Sequence, residues 1–574
     1  MTKKEILFLV LVVVLFLTLR LPGLHLPYHL DETKYAVSVS VADHNTPHPP
    51  VSKIILLATA KIFGRDNFRA TPLIFSLANL FLLYYLVRFQ FGRREARWSV
   101  LLFAIVFYNV LGSLTVDFDG AILPFWLLLS LISYFKWQTP NETARVRSVL
   151  LSHTGQNESA RKRQMAWGGL LTVAVIFGFL TKLSFIIVAG ALVLDWLIGR
   201  SFGLSRRELR KYVLTVLALP VLLIGSLWGI KFLWPSFDLA RTLSHATDYF
   251  KISGRAYLQI LIQSAKALIY ASPLLAVPLI FLKKTDWRRL SFFVVFLVLG
   301  LIFYLIIFDF SRAALDKYLV FIVVPLVVMS GVGLTNVFSS MESTLFSRSQ
   351  KVFFWGVASL FLGAIFLSQF VSHFAPALYP KEEWISRMIK LKWNFVFPFT
   401  GGSGPLGLYV SWLFMVLVWL ASIFLALWAF LKRPCRRPLT LVILLLGLLY
   451  NLVFAEEYLF GKINGSSRRL LAEAVDFIKQ TPAIKSVITY NNFGQYELTK
   501  IGKYERRLLA APKYEGGYVD VLKNFKGHYL VVDIPHLDPN SPYAKHFQTC
   551  RIIYEQNDRK ISSTIYDCRN PKIH

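Results

Sequence analysis

The stretch "ILFLVLVVVLFLTLRLPGLHLPYHLDETKYA", residues 6–36, joins a long apolar run to two adjacent carboxylates. The run Ile6–Leu19 follows "MTKKE" and lacks a small-residue cleavage site, so we interpret it as an uncleaved signal anchor. Asp31 and Glu32 stand where the chain is expected to leave the bilayer. Adjacent carboxylates repel each other and are costly to desolvate. The pair is therefore either the solvated start of a loop or an acidic site at the membrane surface.

The composition of the whole chain indicates a membrane protein. Its 574 residues are 55% hydrophobic and 17% charged, and the mean hydropathy is +0.52. These values exclude one soluble fold of this length and predict several spanning helices. The net charge of +30 lies in short loops between apolar runs, so membrane topology explains it and no nucleic-acid partner is expected. Three cysteines are too few for a Cys-rich metal framework.

The apolar segments predict an all-α polytopic protein and its orientation. We expect about thirteen spans, near residues 5–21, 70–90, 97–114, 120–136, 166–181, 184–198, 212–234, 257–282, 290–309, 315–337, 352–372, 407–431 and 439–455. Lys and Arg cluster in alternate loops, as at Lys3/Lys4 and Lys283/Lys284, and such loops are cytoplasmic by the positive-inside rule. The N-terminus is then cytoplasmic and the C-terminal segment extracytoplasmic, in a multi-pass protein of the plasma (inner) membrane.

The loops on the opposite side collect unusual polar residues next to the predicted spans. These residues are Asp31, Glu32, His48, Asp117, Asp119, Lys182, Arg312 and Lys317. They come from the loops after span one, between spans three and four, five and six, and nine and ten. Because ionisable groups are rare beside apolar spans, their convergence favours a functional site at the lipid–water boundary. Chance loop composition is the alternative.

The chain divides into a membrane domain, residues 1–455, and a small α/β domain, residues 456–574. "SSRRLLAEAVDFIKQ" has helical spacing with Ser466 or Ser467 as its cap, and "KSVITY" and "YLVVDIP" read as short buried strands. The domain has no phosphate loop, nucleophile elbow or metal-ligand cluster. We expect it to cover the outer face or to help select the acceptor. A role as a stability cap is equally open.

The last strands predict a disulfide. "CRIIYEQNDRKISSTIYDC" alternates on both sides of a polar "QNDR" turn, which is a hairpin signature that brings Cys550 close to Cys568. Outside the cytoplasm the two thiols could form a bond that contributes about 3 kcal/mol in the chain-entropy model. Two unrelated buried thiols are the alternative.

The first external loop, residues 22–69, resembles that of the polyprenyl-phosphate-mannose–protein mannosyltransferases, a branch of the GT-C glycosyltransferases. An Asp-Glu pair after span one precedes a His-Pro-Pro-x-x-Lys motif formed by His48, Pro49, Pro50 and Lys53; Gly64 and Arg69 complete the pattern. "VDFDGAILPFWLLLS" is similar to the family's second acidic motif, with Asp119 entering span four. "FGFLTKLSF" is similar to a Thr-Lys turn of the related aminoarabinose transferases, and "SRAALDKYLVFIVVPL" to a basic stretch before a later span.

Two features depart from the family pattern. Val51-Ser52 stands where the family has Leu-Gly after the two prolines, and the extra β-trefoil domain of the eukaryotic protein mannosyltransferases is absent. The C-terminal α/β segment stands in its place, as in the aminoarabinose and bacterial GT-C members. These departures leave the donor sugar and the acceptor open more than the reaction type.

The resemblance implies transfer of a sugar from a polyprenyl phosphate to an acceptor hydroxyl at the extracytoplasmic face, with inversion. It gives Asp31 the role of general base, with Glu32 as its helper or as the true base, and makes Asp119 orient the acceptor or a metal. Lys182, Arg312 and Lys317 would bind the donor phosphate, while His48, Lys53 and Arg69 would shape the loop or touch substrate. The partners would be a polyprenyl-phosphate-linked sugar, a protein, lipid or glycan acceptor, and membrane lipids. The sugar is left open among mannose, another hexose and a pentose, and Asp31 and Asp119 could hold Mg²⁺ or Mn²⁺ without any spacing that demands it.

Each assignment has a structural alternative. Asp31 and Asp119 could cap helices, and Lys182 could extend toward the interface at a tight turn. Arg312 and Lys317 could pair with Asp309 and Asp316. For the whole chain, the alternatives are a lipid-linked-sugar transporter or flippase and a membrane scaffold. A transporter would place charges near the bilayer midplane, commonly in matched halves, and neither feature is seen in the sequence.

Overall fold

The computed structural model describes residues 2–37, 48–138, 154–198, 206–248, 250, 254–255, 257–308, 318–339, 348–377, 381–399, 407–432, 435–510 and 516–570. The helices of its apolar part are α1 (Lys3–Thr18), α2 (Asp31–Val37), α3 (Pro50–Phe63), α4 (Ala70–Gln90), α5 (Arg93–Ile105), α6 (Phe107–Leu114), α7 (Ile122–Gln138), α8 (Thr154–Thr181), α9 (Ile186–Ile198), α10 (Arg206–Leu233), α11 (Leu239–Asp248), α12 (Tyr257–Ala276), α13 (Lys284–Arg289), α14 (Ser291–Ile302), α15 (Val323–Ser339), α16 (Arg348–Leu367), α17 (Lys381–Ile389), α18 (Trp412–Leu431) and α19 (Arg436–Leu459). A hairpin of β1 (Val396–Phe399) and β2 (Leu408–Ser411) precedes α18.

The apolar helices form a bundle suited to a membrane. Among the described residues, seven helices are long and apolar enough to cross a bilayer, and the bent pair α5–α6 would make an eighth. Four shorter apolar segments accompany them: Leu183–Ile198, Leu217–Leu233, Leu268–Phe281 and Ser291–Ile307. The prediction of an all-α polytopic membrane protein is confirmed, whereas the count of about thirteen spans stays a prediction.

A break between α5 and α6 directs the chain toward the candidate site. The helix axis bends by 63° between α5 and α6. The backbone groups freed by the break are bonded inside the bundle, as membrane interiors require: Asn451 Oδ1 accepts from the amide of Phe107 at 2.6 Å, and the Arg20 guanidinium donates to the carbonyl of Ala104 at 2.9 Å. The bend is thereby held in one orientation, and it sets where α6 ends and the loop 115–121 begins.

The loop 115–121 folds back onto α6 through two glycines. A Cβ built on Gly120 would lie 2.2 Å from the carbonyl oxygen of Gly112 and 2.4 Å from its Cα. Only residues without side chains permit this approach of backbone to backbone. The contact fixes the loop that carries Asp117 and Asp119.

The C-terminal segment is a five-stranded α/β unit. Its elements are α20 (Ser467–Gln480), β3 (Val487–Tyr490), α21 (Gln495–Lys500), β4 (Tyr504–Leu508), α22 (Val519–Asn524), β5 (His528–Val532), α23 (Pro542–Gln548), β6 (Arg551–Asp558) and β7 (Ile561–Asp567). The strand order is β4-β3-β5-β7-β6, with β4, β3 and β5 parallel and β7 and β6 antiparallel to their neighbours. The predicted helix, both predicted strands and the final hairpin are all present, and Ser466 caps α20 by accepting from the amide of Arg469 at 3.3 Å.

Two details of this unit bear on the predictions from sequence. The strand β6 continues through Asp558, so the hairpin turns at Arg559 and Lys560, later than the expected "QNDR" turn. The sulfurs of Cys550 and Cys568 are bonded to each other. The bond joins the start of β6 to the end of β7 and closes the hairpin at its open end.

The carboxyl edge of the parallel strands faces the helical part. The hydroxyl of Tyr409, in β2, donates to the carbonyl of Asp533 just after β5 at 3.3 Å and accepts from the amide of His536 at 3.1 Å. Loops at this edge are where open α/β sheets commonly bind ligands. The sheet therefore presents its ligand-competent edge to the bundle.

We predict that Gly120→Ala lowers the thermal unfolding midpoint by several degrees, because the new methyl group displaces loop 115–121 from α6 at a cost of about 1–3 kcal/mol. The matched control is Gly169→Ala, since a Cβ at Gly169 meets nothing within 4 Å. Thermal unfolding of the two variants in detergent measures the difference. Equal midpoints would show that the glycine contact does not hold the loop.

Candidate active site

A buried ion pair joins the predicted Asp-Glu motif to the predicted arginine. Glu32 and Arg69 are both fully buried, and their side chains meet in a two-pronged contact of 2.6 Å (Oε1–Nη1) and 2.8 Å (Oε2–Nη2). Two parallel bonds of this kind are strong and fix geometry as well as charge. The pair ties the start of α2 to the start of α4.

Backbone groups from three segments complete the pair. Arg69 donates to the carbonyls of Leu26 at 3.1 Å and Pro27 at 2.7 Å, and also to that of Leu114. Glu32 accepts from the amides of His29 at 3.1 Å and Val116 at 2.9 Å. Residues 26–32, the start of α4 and the end of α6 thus share one clamp, named here the Glu32–Arg69 clamp.

Asp31 takes no part in this clamp, although it directly precedes Glu32 in the sequence. It opens α2 and is partly exposed, and the Lys34 ammonium lies 2.7 Å from its Oδ1. Leu30 adopts a positive φ of 49°, an uncommon conformation for a non-glycine residue, just before α2 begins. Asp31 and Glu32 follow it as consecutive helical residues that project about 100° apart. Glu32 is therefore buried and fully bonded, and Asp31 remains accessible.

The helix carrying Asp31 packs on the second acidic motif. The ring of Tyr35 in α2 lies edge-on to Phe118 with centroids 5.3 Å apart. Next to Phe118, Asp117 accepts from its own loop at 2.6 Å, and Asp119 forms a buried ion pair with Lys182. The loops after span one, between α6 and α7, and after α8 therefore converge, as the sequence predicts.

The Asp119–Lys182 pair borders a cavity between helices. Lys182 Nζ lies 4.5 Å from the ring centre of Tyr318. Asp119 lines a cavity of about 40 Å³, together with Leu123, Pro124, Leu127, Ser184, Phe185, Ile187, Val188, Phe296, Tyr304, Phe321 and Val324. Most of these lining residues are apolar, so the ion pair borders a small apolar space.

His48 also reaches this region, with a helix that the sequence did not single out, whereas Lys53 is buried in the first turn of α3. The His48 ring lies 5.8 Å from Phe118 and 6.0 Å from His245 of α11. Burial lowers the pKa of His245, and nearby Lys182 and Lys34 lower it further while Asp248 opposes them. The strongly amphipathic pattern of Leu239–Asp248, between two predicted spans, is the signal that could have found α11.

Two predicted phosphate ligands, Arg312 and Lys317, lie outside the described residues, as do Asp309 and Asp316. Within the described part of the chain, one group of three His, Cys, Asp or Glu side chains comes close enough for a metal, and it consists of His546, Cys550 and Cys568. Its two sulfurs are bonded to each other, which removes them as thiolate ligands. The described geometry around Asp31 and Asp119 thus contains ion pairs with lysine rather than a three-ligand metal cluster.

The α/β unit also contacts the segment between α1 and α4, at Tyr28 and Asp66. The Tyr496 hydroxyl donates to Asp66 at 2.6 Å, and Lys500 lies 2.8 Å from the same carboxylate. These two partners lower the pKa of Asp66. The Tyr496 ring also meets Tyr28 edge-on at 4.9 Å. Helix α21 is therefore the part of the C-terminal unit that docks on the candidate site.

One carboxyl group in this docking helix is poised to titrate. Burial raises the pKa of Glu497 to about 7, against smaller opposing effects that include Arg69 and Lys500. The folded protein therefore holds a proton on Glu497 at a pH where the unfolded chain has lost it. Ionisation of Glu497 must weaken the folded state.

Apolar helices with charged side chains gathered from separate loops, and an α/β unit packed against them, define a polytopic membrane protein with a candidate active site beside its helix bundle. Residues 47–150 match the sequence model of a family described as dolichyl-phosphate-mannose-protein mannosyltransferase. This segment contains His48, Lys53, Arg69 and Asp119. No curated protein matches the chain in sequence.

The chain is similar along its length to ArnT from Cupriavidus metallidurans. The apo crystal structure aligns with 15% identity and a TM-score of 0.51, over 98% of this chain and 97% of ArnT. The structure of the same protein bound to undecaprenyl phosphate aligns with 15% identity and a TM-score of 0.50, over 98% of each chain. This likeness establishes an ArnT-like GT-C fold.

We predict that Glu32→Ala lowers the free energy of unfolding by about 3–5 kcal/mol, because it leaves the Arg69 guanidinium buried without its partner. Removal of an acid from a solvent-exposed pair, Glu473→Ala opposite Arg469, should change it by less than about 1 kcal/mol. Equilibrium unfolding of both variants measures the contrast. Wild-type stability in Glu32→Ala would mean that the clamp does not support the fold.

We predict that stability falls as pH rises from about 5 to 8, and that Glu497→Gln flattens this slope. The folded pKa of about 7 exceeds the ordinary glutamate pKa of 4.5, so the folded state holds the extra proton between these values and loses stability as the pH rises through that window. Unfolding midpoints across this pH range measure the effect. The same slope in wild type and variant would refute it.

Proposed function

We propose that the protein is an inverting glycosyltransferase that moves a sugar from a polyprenyl phosphate to an acceptor hydroxyl at the extracytoplasmic face. The observation that carries the proposal is the convergence around loop 115–121. An accessible carboxylate, Asp31, lies on a helix packed against this loop, and the loop holds the buried Asp119–Lys182 pair at the mouth of an apolar cavity. The carboxylate proposed to take the acceptor's proton and the cation proposed to bind the donor phosphate are therefore both attached to segments that meet at loop 115–121.

The reaction requires these two charges. The acceptor hydroxyl is a weak nucleophile, and a carboxylate that takes its proton assists attack. The acceptor oxygen forms a bond to the anomeric carbon, the bond from that carbon to the phosphate oxygen breaks, and the phosphate leaves with the electron pair. Cations stabilise the charge that develops on the phosphate, and carboxylates favour an oxocarbenium-like transition state. Direct attack gives inversion.

Asp31 is the general base in this proposal. It is the accessible member of the Asp-Glu pair, whereas both oxygens of Glu32 are bonded to Arg69 and to backbone amides. Of the two roles open to Glu32, helper or base, these contacts favour the helper, which holds α2 in place. Arg69 then shapes the loop and does not bind substrate.

Lys182 is the proposed phosphate ligand among the described residues, with Arg312 and Lys317 assigned to the same role from their sequence positions. Asp119 orients Lys182 and closes the other side of the site. His48 borders it through Phe118. A divalent cation would have to displace lysine from Asp119, so no step of the reaction is assigned to a metal.

The donor lipid and the acceptor follow from the comparisons and the chemistry. ArnT was crystallised with undecaprenyl phosphate, which supports a polyprenyl phosphate donor for a chain of this fold. The matched family is named for mannose transfer to protein, which makes mannose and a protein hydroxyl the first pair to test. Transfer of another hexose or of a pentose to a lipid or glycan would need the same carboxylate and the same cation, so these substrates are tested as well.

The decisive test is turnover by the purified full chain. Undecaprenyl-phosphate mannose, glucose, arabinose and aminoarabinose are each offered with a threonine peptide, lipid A and a disaccharide. We predict transfer in at least one combination and a loss of about 10²–10⁴-fold in kcat for Asp31→Asn, because the variant cannot accept the proton.

The control is Asp476→Asn, which changes an exposed aspartate on α20. It should retain wild-type turnover. Full activity of Asp31→Asn would remove Asp31 as the base. Movement of the lipid-linked sugar across vesicles without transfer to any acceptor would identify a flippase and refute the proposal.

A further inference from the structure

His29 stands at the junction between the α/β unit and the candidate base. It lies two residues before Asp31, and its side chain is 1% exposed. Its backbone amide donates to Glu32 at 3.1 Å, so the Glu32–Arg69 clamp fixes its position. Its ring packs on Phe493 with centroids 4.4 Å apart. The imidazole is therefore held between α2 and the loop that follows β3.

This loop has an unusual backbone. Asn491, Asn492 and Gly494 all have positive φ, at 50°, 64° and 81°. Consecutive residues in this region are costly and persist where the surrounding structure requires them. The loop lies at the carboxyl edge of the parallel strands, the edge at which sheets of this kind bind ligands. Its backbone at Asn492 lies near the His29 ring and acts to raise the pKa of that ring.

One ring nitrogen of His29 is not used in any hydrogen bond of the described residues. Among the described residues Nδ1 has no hydrogen-bond partner, although it is buried. Burial is the main cause that lowers the pKa of His29 to about 3, with Arg507 and Arg69 acting in the same direction and Asp31 opposing them. The ring is therefore neutral, with one N–H and one nitrogen that carries a lone pair, and we assign the lone pair to the unpartnered Nδ1. A buried lone pair without a donor costs free energy, and a ligand that supplies a donor recovers it.

We propose that Nδ1 of His29 accepts a hydrogen bond from the acceptor substrate, so that His29 and loop 491–494 form the acceptor subsite beside Asp31. This inference rests on the proposed function and specifies which side chain recognises the acceptor. The donor group is a hydroxyl or amide N–H of the acceptor, adjacent to the hydroxyl whose proton passes to Asp31. The α/β unit thereby takes part in acceptor selection through the loop that holds the ring.

The test compares two substitutions with different chemistry. His29→Phe retains a ring that can pack on Phe493 but has no lone pair. His29→Asn retains an acceptor oxygen near the place of Nδ1. The assay uses the peptide, lipid A or disaccharide that the wild type glycosylates in the panel above, with acceptor KM, kcat and undecaprenyl-phosphate affinity measured for each variant.

We expect His29→Phe to raise the acceptor KM about tenfold, since one hydrogen bond to a buried group is lost. Its kcat should change less, its undecaprenyl-phosphate affinity should equal that of the wild type, and His29→Asn should recover most of the acceptor affinity. An unchanged acceptor KM in His29→Phe overturns the inference. So does a fall in unfolding midpoint and lipid affinity in both variants, which would mark His29 as structural.

Failure of the proposed function gives a different result. In that case the wild-type protein transfers no sugar to any acceptor in the panel, before a variant is made. Transfer by the wild type together with an unaltered acceptor KM in His29→Phe refutes the acceptor subsite alone.

Discussion

The Glu32–Arg69 ion pair is the constraint on which the rest of the site depends. Both side chains are fully buried, and their hydrogen bonds reach residues 26–29, Leu114 and Val116. A buried pair of this kind is strongly destabilising to break, because the remaining charge is left without compensation. Two candidate groups are attached to segments that this pair holds: Asp31 to the helix that it starts, and Asp119 to the loop that contains Val116.

The two adjacent carboxylates have different environments because successive residues of an α-helix project about 100° apart. At the start of α2 this rotation buries Glu32 against Arg69 and leaves Asp31 partly exposed. A single acid could not be both fully bonded and available for a proton. Placing them side by side lets the structural group orient the accessible one at a distance of one residue, which is the precision that catalytic groups need.

Much of this arrangement could be predicted from the sequence, and the missing part has physical causes. The apolar periodicity identified the bundle, and the alternation around residues 551–567 identified the final hairpin, because both signals are local. Arg69 was predicted to shape the loop or to touch substrate, and its pairing with Glu32 was not predicted, since pairing across 37 positions depends on how α3 returns the chain. The strand β2 was absorbed into the predicted span 407–431, because Leu408–Ser411 is as apolar as the helix that follows it. The predicted pairing of Cys550 with Cys568 agrees with the bond in the structure, and it depended on a hairpin rather than on any long-range contact.

The contact between Asp66 and Tyr496 spans 430 positions of the chain. During synthesis the segment carrying Asp66 leaves the ribosome long before Tyr496 does, so the early loops and helices stand in the membrane without their cover. A nascent chain at that stage has the Asp-Glu motif but not the loop that packs on His29. The candidate site can therefore be completed only after the whole polypeptide has been made. A truncated product could insert into the membrane, but it could not form the complete site.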